Sequence, residues 1–207
     1  MRALTRNLCL AGTVTAVAVT VLPPLGSIAD QLFSAHMAQH LLLIAVAAPL
    51  LAASRIQPVS IRPVAAWVAF VGTFLFWHWP GAFQWAARSE LTQLLEFAII
   101  LFAAYLFWSV AFASEGRFSY GARALYVMTA AVATDLPGVV MVFSPRAICT
   151  MPGENALRWG LTPLQDQQIA GMSMWVPANL VFFSIAIWLF ARWIGATETP
   201  QHKLVTS

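Results

Sequence analysis

SAHMAQH, from Ser34 to His40, opens a long apolar run and carries two of the chain's four histidines. Residues four apart on a helix share a face, with side chains about 6 Å apart, so His36 and His40 point the same way. Two neutral imidazoles so placed can chelate a soft or borderline transition metal. They can equally form a hydrogen-bonding pair between helices. Their place in an apolar run favours a site, because ionisable side chains inside a membrane span are costly and mark function.

Outward from that stretch, composition sets the class. Of 207 residues, 60% are hydrophobic and 9% charged, and the mean hydropathy is +0.75. A soluble domain carries about 25% charged residues. The chain therefore reads as all-α: a polytopic transmembrane helix bundle of about six spans, forming a single membrane domain over residues 1–207. At about 20 apolar residues per span, the spans fall near 8–22, 33–53, 64–79, 91–113, 122–143 and 168–194, with 144–166 as an external loop. Residues 1–29 fit either a retained first span or a cleaved signal peptide, and a retained anchor is expected. The basic residues lie scattered through loops and form no patch, so no nucleic acid is implied.

Lys and Arg counting orients the bundle. With both termini inside, Arg2, Arg6, Arg55, Arg62, Arg117, Arg123, Arg192 and Lys203 are cytoplasmic, and Arg88, Arg146 and Arg158 are outside. The polar residues then sort by depth without having been used. His36, His40, His78, Gln93, Glu96, Asp135, Met141, Asp166, Met172 and Met174 all fall toward the outer face, which predicts one polar site there. Cys9 and Cys149 fall near opposite faces and should not pair.

His36 and His40, with His78 from the next span, are the expected metal ligands. Met141, Met172 and Cys149 are candidate soft donors, since thioether and imidazole together suit Cu(I). Cys149 and Met151 read as an outward-facing sulfur pair where copper could first land. Glu96 and Asp135 are intramembrane carboxylates able to orient ligand imidazoles, with Gln93 beside them. Asp166 is expected to cap the last span through its dipole, Gly171 to mark close helix packing, and Pro137 to loosen the fifth span by freeing the Ala133 carbonyl. No CxxCH, GxSxG, Walker loop or HExxH occurs, and no nucleophile stands with a base, so an enzyme is not expected.

FSAHMAQHLLL, FWHWPGAF, LTQLLEFAIILFAAYLFW and GLTPLQDQQIAGMSMWVP together resemble the CtaG family of polytopic cytochrome c oxidase assembly proteins, over roughly Gln31 to Trp193. The resemblance implies a bacterial plasma-membrane protein needed to mature haem–copper oxidase, handling copper at the outer face for an oxidase subunit or its copper chaperones. It carries the family's histidines onto His36, His40 and His78, and its acidic motif onto Asp166. The fourth span departs from it. Where relatives read like HxLEH, this chain has Gln93-Leu94-Leu95-Glu96-Phe97, with only the acid kept. Relatives also often carry a tyrosine where Cys149 aligns. Three other readings compete: a scaffolding assembly protein without metal, a small metal-ion or proton transporter, and a bis-His haem-b protein.

Overall fold

The computed structural model describes residues 2–55, 61–113, 118–152 and 155–205, with side chains described from 3 to 196. Arg117 of the charge count lies outside the described residues, as do the side chains of Arg2, His202 and Lys203. Helices α1 (Arg2–Val21) and α2 (Leu25–Ala29) lead into α3 (Phe33–Leu42), a π-helical turn (Leu43–Ala47) and α4 (Ala48–Ser54). There follow α5 (Pro63–Trp77), α6 (Pro80–Ala86), α7 (Glu90–Ala111), α8 (Tyr120–Phe143), a short 3-10 turn (Asn155–Trp159) and α9 (Pro163–Val205). No strand occurs among the described residues.

The expected bundle is present. Five helical stretches are long and apolar enough to cross a membrane, and α5, at 15 residues, is a shorter apolar helix beside them. At 1.5 Å per residue α5 covers only about 22 Å. The chain then turns at His78 and Trp79, and Pro80 starts α6 as a lid across the end of the bundle.

Expected boundaries shift where local chemistry is strong. The last helix begins at Pro163 rather than near 168, because TPLQ forms a capping box. The Gln165 backbone N–H donates to the Thr162 hydroxyl (3.2 Å), and the Thr162 N–H donates to Gln165 Oε1 (2.8 Å). The external loop thus ends before Pro163. The helix runs on without interruption through Pro177, as α8 does through Pro137. The irregularity expected near Pro137 occurs instead in the second span. There Pro49 offers no N–H to the Ala45 carbonyl, the turn widens over Leu43–Ala47, and the Trp108 indole N–H donates to the Ile44 carbonyl at 2.8 Å. A π-turn re-aims the residues on either side of it, and this one begins three residues after His40.

α8 and α9 cross closely through glycine. A Cβ added at Gly171 would lie 2.7 Å from the Gly138 carbonyl oxygen and 3.0 Å from the Met141 Cβ. At one end of the bundle sit three arginines: Arg55 donates to the Phe112 carbonyl, Arg123 to the Phe118 and Ala113 carbonyls, and Arg192 to the Tyr120 hydroxyl. The histidines occupy the other end. Cys9 and Cys149 are both free, as their separation along the spans requires.

Candidate metal centre

One helical turn on α3 places His36 over His40, with ring centroids 4.7 Å apart. Both are fully buried, and so is Glu96, which α7 brings between them. His36 Nε2 stands 3.4 Å from Glu96 Oε2, and His40 Nε2 stands 3.3 Å from Glu96 Oε1. One ligand atom from each residue can be chosen so that all three lie within 4.8 Å of one another.

Those separations discriminate between bonding types. A good N–H···O hydrogen bond is about 2.9 Å long. Two atoms bound at about 2.1 Å to one tetrahedral ion stand roughly 3.4 Å apart. Glu96 meets His36 and His40 only through these two long contacts; none of the four atoms involved, nor His40 Nδ1 or His78 Nε2, makes a well-formed hydrogen bond. Buried polar atoms left bare are expensive. Here the Glu96 carboxylate and one nitrogen each of His36 and His40 converge, and the carboxylate calls for a positive charge in the same place, from a protonated imidazole or a bound cation. A metal cation satisfies both requirements, and this donor set of imidazoles and one carboxylate fits a borderline transition metal.

The surrounding contacts set ring orientation. His78 follows α5 directly; its Nδ1–H donates to the Phe74 carbonyl at 2.6 Å, its ring stacks on Phe74, and its Nε2 is left with a bare lone pair. That is the usual arrangement of a ligating histidine. The His78 and His40 rings are 5.4 Å apart, so His78 stands beside the cluster of His36, His40 and Glu96 without being part of it. Gln93 Nε2 lies 3.2 Å from His36 Nδ1; an N–H donated there leaves the ring proton on Nε2, so a metal at Nε2 requires the amide turned to accept from Nδ1–H through Oε1. Phe97 packs its ring against His36 (5.6 Å) and His40 (5.7 Å). The two positions where the fourth span departs from the HxLEH pattern therefore both touch the histidines. In place of further imidazoles stand an amide that orients His36 and a ring that dries the pocket. Phe83 of the α6 lid closes over His36 at 5.5 Å.

Asp166 acts on a different helix from the one expected. The capping box occupies the start of α9, and the Asp166 carboxylate reaches across to α3 instead. It accepts from the Phe33 N–H (2.7 Å), the Ser34 N–H (3.0 Å) and the Ser34 hydroxyl. These N–H groups are among the open donors of the α3 N-terminus, one turn ahead of His36. Asp166 is thus a positioning residue for the helix that carries both histidines.

Asp135 approaches from the opposite side. Its carboxylate accepts from the Asn179 amide at 2.7 Å. Both line a cavity of about 20 Å³ shared with His40, Thr134 and Met174, enough for about one water molecule and far too small for a porphyrin beside His40.

The candidate sulfur donors separate. Met174 faces that cavity, whereas Met172, two residues away, is 47% exposed on the outside of the bundle. Met141 is buried at the α8–α9 crossing. Cys149 does not face outward: it is 1% exposed, its N–H and that of Ile148 donate to Gln167 Oε1, and burial pushes its thiol up to about 11. Among the described residues it is not part of the histidine group. Sequence reasoning passed over Gln39, Gln167 and Asn179. Their signal was the one that exposed Gln93, an amide inside an apolar run.

A family model described as "Cytochrome c oxidase caa3 assembly factor (Caa3_CtaG)" matches residues 3–196, nearly the whole chain. No curated protein and no solved structure matches.

Proposed function

The chain belongs to the cytochrome c oxidase caa3 assembly factor family, and we propose that it serves oxidase assembly by holding copper at a site made of His36, His40 and Glu96, with His78 as third imidazole. The observation that carries this reading is the convergence of His36, His40 and Glu96, all fully buried, with one ligand atom from each within 4.8 Å of the others. Copper is cargo here, taken up and passed on to the oxidase or to a copper chaperone serving it. The protein's own groups do the rest. Gln93 and the Phe74 carbonyl hold the imidazoles in register, Phe83 and Phe97 keep the pocket dry, and Asp166 fixes the helix start. Among the described side chains, Arg6, Arg55, Arg62, Arg123 and Arg192 fall on the side that the positive-inside rule makes cytoplasmic, which supports a buried pocket lying toward the outer face of the bacterial plasma membrane.

The test is metal content of the purified protein after loading with Cu(I) under reducing conditions, beside a His36→Ala/His40→Ala double variant. About one copper per chain is expected in the wild type, as for a single site of this donor set, and none in the double variant. A folded wild-type protein that takes up no copper would leave the histidines as structural and the protein as a metal-free scaffold.

A further inference from the structure

Two clefts open beside the histidine pocket and share the walls Asp30, Glu90 and Gln93. One, of about 240 Å³, also reaches Gln39 and Phe97, and the other, of about 220 Å³, reaches Met151. Glu90 lies in the first turn of α7, where the helix dipole alone accounts for an acid. Asp30 has no such explanation. It stands at the C-terminal end of α2, where a carboxylate gains nothing from the dipole.

Gln39 supplies the independent observation. Its Nε2 donates to the Thr20 carbonyl at 2.6 Å, and a carbonyl can only accept, so the amide orientation is fixed. Its Oε1 is then left without a partner although the residue is 2% exposed. Gln39 lines the acidic cleft, and a buried carbonyl oxygen left bare there calls for a hydrogen-bond donor or a cation. At the inner end of the same cleft, Gln93 touches His36. Met151, 9% exposed, lines the neighbouring one.

From these positions we propose that the two clefts form the entry port of the site, a passage that attracts a small soft metal cation and hands it to His36. The proposal rests on the copper-holding reading above. Asp30 and Glu90 raise the local concentration of cations. The Met151 thioether gives a soft ion its first protein ligand, and Gln39 Oε1 and Gln93 replace water along the way. Transfer is ligand exchange at constant oxidation state: thioether and water leave as imidazole binds.

The port is tested by rate rather than by endpoint. Cu(I), supplied as its cationic acetonitrile complex under anaerobic conditions, is mixed with the full-length protein in detergent. Loading is followed by tryptophan quenching, and final metal content is measured afterwards. An Asp30→Asn/Glu90→Gln variant should reach the wild-type copper content roughly tenfold more slowly and lose most of the slowing by salt that steering produces. The charge-conserving Asp30→Glu/Glu90→Asp variant should restore the rate. Equal rates in wild type and the neutralised variant would overturn the port while leaving the histidine site standing. A neutralised variant with lowered final copper would also overturn it, by making the two acids part of the holding site. No copper in the wild type would remove the holding site and the port together.

Discussion

The Cys149 thiol is 1% exposed, and burial pushes its titration up to about 11 from an ordinary 9.0, because a thiolate there would lose most of its hydration. Only the thiolate attacks electrophiles or binds soft metals, so at neutral pH this cysteine is a poor landing point for copper. In a Cys9→Ser background, iodoacetamide should modify Cys149 slowly at pH 8, and the rate should keep climbing beyond pH 9, where an exposed thiol levels off. A plateau near pH 9 would show the thiol to be hydrated. The linkage has a definite sign. Between about pH 9 and 11 only the unfolded chain ionises, so this residue makes the fold less stable as pH rises through that window. Met151, two residues on, is the member of the ICTM pair that reaches a cleft. Similar two-residue choices limited the sequence reading elsewhere. Met172 and Met174 both sit at the right depth, but residues two apart on a helix point about 200° apart, and only packing shows that Met174 faces His40. The i, i+4 spacing of His36 and His40 suffers no such ambiguity, and it was legible at once.

At the level of elements, the spans and their polar depth were readable because hydropathy and charge counting depend on the chain alone. What joins one element to another was not. Asp166 looked like the cap of its own helix, and the TPLQ capping box that makes that role redundant was itself in plain view. Its true partner, the start of α3, lies 132 to 133 residues away. Likewise Pro137 and Pro49 are both prolines in apolar runs, yet the helix widens only near Pro49, where Trp108 offers a donor to a loosened carbonyl. The cross-element cap should couple stability to metal holding. Asp166→Asn keeps one acceptor oxygen and loses the charge shared by three donors, a change of about 1–3 kcal/mol for hydrogen bonds to a charged group. Thermal unfolding in detergent should therefore begin at lower temperature, and copper should bind more weakly because α3 no longer starts in a fixed place. A variant with wild-type melting and affinity would show that α3 is anchored by its other contacts.

Across the whole molecule, the buried histidine cluster has clefts beside it on one side and aromatic rings on the other. Phe70 lies eight residues before His78 on α5, about 12 Å deeper, and Phe107 eleven residues after Glu96 on α7, about 16 Å deeper. These two rings pack tilted at 4.6 Å, Phe182 of α9 closes on Phe107 at 5.8 Å and on Trp108 at 4.9 Å, and Tyr126 stacks on Phe107 at 4.6 Å. Beyond the water-sized cavity beside His40, these rings offer a metal ion no ligand, so under the copper-holding proposal an ion in the histidine pocket would leave by the way it entered. That architecture suits holding and handover, and it argues against the transporter reading. In proteoliposomes loaded with an internal copper chelator, external Cu(I) should bind in proportion to the protein and saturate at its outward-facing sites, with the chelator inside staying metal-free. Chelator filling that continues past the amount of protein, and that disappears in a His36→Ala/His40→Ala variant, would mean that the aromatic layer opens during function. The protein would then move copper across the bilayer rather than keep it on one side.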